Sequence, residues 1–215
     1  GPALMRLTIF DFDGTIYRGE TFRLFLRILG GQDRRRQWAV RRYYLARALP
    51  YLAYCLGLWR LRLMTHATRG LVRLLNGLNA LELEAYFRRC LAAARPRFNP
   101  ILLERLRSHL DAGDRVVLLS GAFTPFLALV AGELGVRDVL GTDLVMRDGR
   151  CRGMGRHGIG PAKAEALRAF LAEQEKAGAT FDLAASYAYA DGVHDLPLLN
   201  MVGHPVAVEP DEGLR

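Results

Sequence analysis

The run Val116-Val117-Leu118-Leu119 limits the fold of this chain more than any other segment. Four consecutive apolar residues suit a strand buried on both faces, as in a parallel sheet covered by helices. The flanking pattern agrees. Arg6 to Phe12 reads as a first strand ending in an acid, and Ala185–Ala190 and Pro205–Val208 read as later strands. A short strand falls at Val139-Leu140. Helical periodicity predicts helices over Ile101–Ala112, Pro125–Leu134, from Pro161 onward, and about Leu196–Met201. Leu144–Met146 and Cys151–Met154, joined by Asp148-Gly149, read as a hairpin, because Asp-Gly fits a two-residue turn. Strands alternating with helices predict an α/β fold with a doubly wound, Rossmann-like parallel sheet.

From Glu20 to about Arg97 there is no strand signal. Phe22, Phe25, Leu26 and Leu29 mark one helical face, and helices are predicted over Asp33–Ala48, Trp59–Leu75 and Leu81–Ala94. The chain therefore divides into a core, residues 5–19 and 98–215, and an all-helical insertion, residues 20–97. Gly1–Leu4 ahead of Met5 read as a cleavage remnant, and no secretory pattern follows Met5. Three cysteines, Cys55, Cys90 and Cys151, have no paired spacing. That argues against a disulfide framework or a zinc site and suits a reducing cytoplasm.

The formal net charge is +8, carried almost entirely by arginine. Between Arg18 and Arg97 there are 17 Arg against four acids, Glu20, Asp33, Glu82 and Glu84. Such a block suits an anionic partner or a solvated basic surface. Nucleic acid is not expected, because no aromatic-basic recognition motif accompanies the arginines. Ala48 to Trp59 carries no charge, and its 12 residues fall short of the roughly 20 that a membrane-crossing helix needs. Arg47, Arg60 and Arg62 flank it. It reads as a helix packed on its neighbours or a dimer contact, with a membrane-surface segment as the second reading.

Ligands of such sheets bind beyond the carboxyl ends of the strands, so residues leaving those ends carry the chemistry. The first strand runs into Asp11-Phe12-Asp13-Gly14-Thr15, two carboxylates and a glycine turn. The buried strand leads into Ser120-Gly121, where a hydroxyl and backbone N–H groups can hold phosphate oxygens. Lys163 stands at the start of a helix and can neutralise phosphoryl charge. A later strand leads into Asp191-Gly192-Val193-His194-Asp195. Any one of these groups is more often a turn former, a cap or a solvated side chain. All four at strand ends or helix starts of one sheet point to a shared site.

In this order the four groups resemble the four motifs of the haloacid dehalogenase superfamily, over about Arg6 to Val208. The helical insertion resembles the cap of its phosphoserine-phosphatase-like branch. That resemblance implies a phosphatase with Asp11 as nucleophile, Asp13 as general acid and base, and Lys163 as a charge partner. It implies Mg²⁺ held by Asp11, Asp191 and the Asp13 backbone carbonyl, with Asp195 orienting the metal shell or Lys163. It also places Gly14, Thr15, Ser120, Gly121 and Ala122 on the phosphate side, and Glu20 where that branch carries a substrate-facing acid. His194 stands where the branch typically has Asn, and Ala190 where Gly is frequent. His157 lies in a glycine-rich loop ahead of Lys163. The implied substrate is a small phosphorylated metabolite, phosphoserine-like. A lipid phosphate such as phosphatidylglycerophosphate is the alternative, and a basic binding module with a vestigial hydrolase core is a third reading.

Overall fold

The computed structural model describes residues 4–46, 60–156, 158 and 160–209. The elements in chain order begin with β1 Leu7–Phe10, then helices α1 Thr21–Gly30, α2 Arg34–Leu45, α3 Arg60–Leu75, α4 Ala80–Ala94 and α5 Pro100–Asp111. They continue with β2 Arg115–Phe123, α6 Thr124–Leu134, β3 Asp138–Thr142, β4 Leu144–Arg147, β5 Arg150–Met154 and α7 Pro161–Lys176. The chain closes with β6 Tyr187–Ala190, α8 Leu196–Leu199 and β7 His204–Ala207. Strands β3-β2-β1-β6-β7, in that spatial order, form a parallel sheet, and β4 and β5 form a separate antiparallel hairpin.

Side-chain alternation explains why both sheet faces are covered. Leu7 and Ile9 of β1, Val117 and Leu119 of β2, and Ala188 and Ala190 of β6 share one buried cluster with Leu167 and Phe170 of α7. Phe10 of β1 and Val116 and Leu118 of β2 enter the other cluster. That second cluster runs without a break into the helical insertion. Phe25 of α1 stands 5.4 Å from Phe123 and 5.1 Å from Phe126 between ring centroids, and Phe87 of α4 stands 5.6 Å from Phe25. Each such phenyl group contributes roughly 2–3 kcal/mol on burial, so the insertion is joined to the sheet by its apolar contacts as well as by the chain.

Local signals set the element ends. Asn79 caps α4 and forms a reciprocal box with Glu82. Asp148 and Gly149 both have positive φ, 50° and 69°, as the tight β4–β5 turn requires. The hairpin also pairs with the α3–α4 turn: Gly77 N–H donates to the Cys151 carbonyl, and Cys151 N–H to that of Leu78.

Several element ends differ from the sequence reading, those of β2 and β6 among them. The β2 strand continues through Ser120-Gly121 to Phe123, with a register shift against β3 between Leu119 and Phe123. Ser120 therefore lies within an irregular strand rather than in the loop after it. The β6 strand starts two residues later than expected, because Ala185 and Ser186 are spent on a turn. Ala185 N–H donates to the Asp182 carboxylate, and Ser186 Oγ accepts from Leu7 N–H. The uncharged segment Ala48–Trp59, which includes Cys55, and His157 fall outside the described residues. Among the described residues no helix is long and apolar enough to cross a membrane.

Candidate active site

Strand order reverses between β1 and β6, since β1 leads outward to β2 and β3 while β6 leads to β7 on the other side. The crevice of a doubly wound sheet opens at that point. Asp11 leaves β1 and Asp191 leaves β6, so the two carboxylates flank it. Asp11 N–H donates to the Tyr189 carbonyl, which continues the β1–β6 pairing one residue further and fixes the backbone.

The Asp11 side chain is buried, at 3% exposure. Its Oδ1 accepts from Phe12 N–H at 2.7 Å, and its Oδ2 accepts from Lys163 Nζ at 2.9 Å. Lys163, two residues into α7, also stands 2.7 Å from Asp195 Oδ1. Asp195 lies in a one-turn 3₁₀ segment, Val193–Asp195. One carboxylate oxygen from each of Asp11, Asp191 and Asp195 lies within 4.8 Å of the other two.

Three carboxylates around one ammonium are electrostatically overfull. Burial pushes the Asp11 carboxyl well above its ordinary range; Lys163 opposes this, while Asp195 and Asp191 add to it. Desolvation would lower the Lys163 ammonium, but Asp11 and Asp195 outweigh it and hold the group charged. Asp195 Oδ1 is buried against the Lys163 ammonium. Three carboxylates that share one ammonium form an all-oxygen donor set of the kind a hard divalent cation takes.

Gly14 makes room for this cluster. It has φ +71°, and a β-carbon there would stand 1.9 Å from Asp191 Oδ2. Its N–H is spent inside the turn, on the carbonyls of Tyr17 and Gly19. Gly158 is similarly pressed against the second motif, since a β-carbon on it would stand 2.7 Å from the Ser120 carbonyl oxygen.

The Asp13 carboxylate turns toward the helical insertion. Oδ1 accepts from Thr21 N–H at 3.0 Å and Oδ2 from Thr21 Oγ1 at 2.8 Å. Burial raises its pKa to about 7, against the opposing hydrogen bonds from Thr21. The side chains of Asp11, Asp191, Asp195 and Lys163 are thus gathered, while that of Asp13 stands beside them, tied to α1.

The remaining sequence candidates occupy varied settings. Ser120 is fully buried, and its Oγ accepts from Ala122 N–H at 3.2 Å. The Gly121 carbonyl accepts from Thr142 Oγ1. Thr15 is fully buried, and its hydroxyl has no hydrogen-bond partner. Glu20 is exposed and pairs with Arg23, and His194 is exposed. Sequence reasoning missed Thr21. Its only signal is a hydroxyl at the first position of the predicted helix, where its N–H is free to bind a carboxylate.

The family model for haloacid dehalogenase-like hydrolases matches residues 8–200. The chain belongs to that family. A phosphoserine phosphatase, SerB1, of Mycobacterium tuberculosis is 38% identical over 116 residues, which are 52% of this chain and 35% of the relative. The chain spans about half or less of the curated relatives it matches. A crystal structure of a protein of unknown function from Bordetella pertussis Tohama I superimposes with a TM-score of 0.79 at 26% identity, covering 99% of this chain and 94% of that one. A phosphoserine phosphatase solved as a phospho-aspartyl intermediate analogue shares the fold, with a TM-score of 0.60 at 19% identity, covering 95% of this chain and 87% of that one.

Proposed function

We propose that this chain is a Mg²⁺-dependent phosphomonoester hydrolase that works through an aspartyl-phosphate on Asp11. The observation that carries the reading is the buried Asp11 carboxylate, held by Lys163 at 2.9 Å and grouped with Asp191 and Asp195 at the switch point of the sheet.

The reaction runs in two displacements. In the first, an Asp11 carboxylate oxygen bonds to phosphorus, the bond from phosphorus to the alcohol oxygen breaks, and Asp13 gives that oxygen its proton. An acid whose pKa lies near 7 still holds a proton to give at neutral pH. In the second, Asp13 takes a proton from water, the water oxygen bonds to phosphorus, and the bond to Asp11 breaks. Lys163 and the Ser120 hydroxyl meet charge on the phosphoryl oxygens. Mg²⁺, when bound, adds charge stabilisation there, and Asp11, Asp191, Asp195 and the Asp13 backbone carbonyl are the groups that would hold it.

Residues 20–97 act as the cap that selects the substrate. A small phosphorylated metabolite, phosphoserine-like, is the substrate class favoured by the named relative. The test is hydrolysis of an aryl phosphate with Mg²⁺ and with chelator, followed by a panel of phosphomonoesters. Turnover that needs Mg²⁺ and prefers small phosphorylated acids supports the reading. No turnover under either condition contradicts it.

A further inference from the structure

Helix α2 has two unlike faces. Its inner side buries Val40 and Tyr43, and the Tyr43 hydroxyl donates to the Ala67 carbonyl at 2.9 Å. The outer side presents Arg34, Arg35, Trp38, Arg41, Arg42 and Leu45, which helical spacing brings to one side of the cylinder. Trp38 is 62% exposed and Leu45 is 77% exposed. The Arg41 guanidinium lies 5.6 Å from the centre of the Trp38 ring. Among the described residues, Arg34, Arg35, Arg41 and Arg42 pair with no acid, and the sequence holds no acid between Asp33 and Glu82.

We propose that this outer face of α2 docks on an anionic lipid surface. Two large apolar side chains flanked by arginines are the side-chain set an interface of headgroups and acyl chains accepts. Trp seats at the headgroup level, Leu enters the acyl boundary, and guanidinium groups meet lipid phosphates. A second copy of the same face is a poor occupant, since it would bring two sets of four unpaired arginines together. A nucleic-acid backbone would engage the arginines and leave Leu45 in water. The surface lies outside the groups assigned to catalysis, so it holds or fails independently of the proposed activity.

The test is co-sedimentation of the full chain with vesicles of phosphatidylcholine alone and of phosphatidylcholine with phosphatidylglycerol, at low and high salt. The variants are Trp38→Ser with Leu45→Ser, and Arg34→Gln with Arg35→Gln, Arg41→Gln and Arg42→Gln. All positions are solvent-facing, and an unchanged melting curve controls for folding. The wild-type chain should pellet with phosphatidylglycerol vesicles and stay in solution with phosphatidylcholine. The arginine variant should lose affinity on the order of a thousandfold. The apolar variant should bind weakly at low salt and not at all at high salt, where the wild-type chain retains part of its binding. Four results would overturn the proposal: no pelleting with anionic vesicles, equal binding to both vesicle types, variants that bind as the wild type does, or tighter retention by polyglutamate or RNA than by phosphatidylglycerol vesicles.

Discussion

A β-carbon on residue 14 would stand 1.9 Å from Asp191 Oδ2, so the first and fourth motifs of this chain are in contact through the absence of a side chain. Asp191 can approach Asp11 and Asp195 only while that space is empty. Gly14→Ala should displace the Asp191 carboxylate and raise the Mg²⁺ concentration for half-maximal turnover by about tenfold or more. It should also cost about 1 kcal/mol or more of stability at φ +71°. Gly77→Ala is the control: Gly77 has φ +89° with nothing within 4 Å, so it carries the backbone cost alone. A Mg²⁺ titration that shifts equally in both variants would contradict the assigned contact.

Asp13 and Thr21 should act as a pair. Asp13→Asn removes the proton that an alkoxide leaving group needs, so hydrolysis of alkyl phosphates should fall by roughly 10²–10⁴. Aryl phosphates leave without that help. With them the variant should release a burst of phenol stoichiometric with enzyme and then slow, because water is no longer activated. Thr21→Val keeps the volume but removes the hydroxyl on Asp13 Oδ2, and should lower kcat about tenfold, with rescue by Thr21→Ser. Wild-type rapid kinetics in Thr21→Val would show that the hydrogen bond positions nothing.

Lys163 is the one cation bonded to Asp11 among the described residues. Replacing it by Met leaves Asp11 and Asp195 buried and unpaired, which should cost about 3–5 kcal/mol. The double variant Lys163→Met with Asp195→Asn should recover part of that loss, and Mg²⁺ should raise the melting temperature more in Lys163→Met than in the wild type. Additive losses in the double variant would deny the coupling.

A further buried carboxylate, Asp114, gives a pH signature away from the site. Burial pushes Asp114 up, but hydrogen bonds from Arg6, His109 and Thr8 outweigh it and leave its carboxyl below the ordinary range. A depressed folded pKa adds stability above the unfolded value of about 3.9 and loses it as pH falls further. Asp114→Asn should therefore be about 1–3 kcal/mol less stable than wild type at neutral pH, with the gap closing below about pH 4. Denaturant midpoints of both proteins across that range check the sign; a gap that widens on acidification would contradict it.

Much of this fold is written in local pattern. The Val116–Leu119 run marks the two-sided sheet, and Asp148-Gly149 marks the hairpin turn, because each depends on residues adjacent in sequence. The strand-end acids Asp11 and Asp191 are legible for the same reason. What the sequence hides are relationships across long separations. The Ser120–Phe123 extension of β2 depends on pairing with β3, and Gly-Ala in isolation looks like a loop. The Asp13–Thr21 bonds depend on how α1 starts over the crevice. The grouping of an Asp195 oxygen with those of Asp11 and Asp191 depends on the 3₁₀ turn at Val193–Asp195.

Covalent phosphate at residue 11 is the property on which the proposed reaction depends most directly. Wild-type chain mixed with a hydrolysed phosphomonoester and Mg²⁺, quenched, reduced with borohydride and digested, should yield homoserine at position 11 in the mass spectrum. Asp11→Asn, folded by its melting curve, should yield none and lose turnover by at least about a thousandfold. Phosphate trapped on another residue, or substantial turnover in Asp11→Asn, would contradict the assignment.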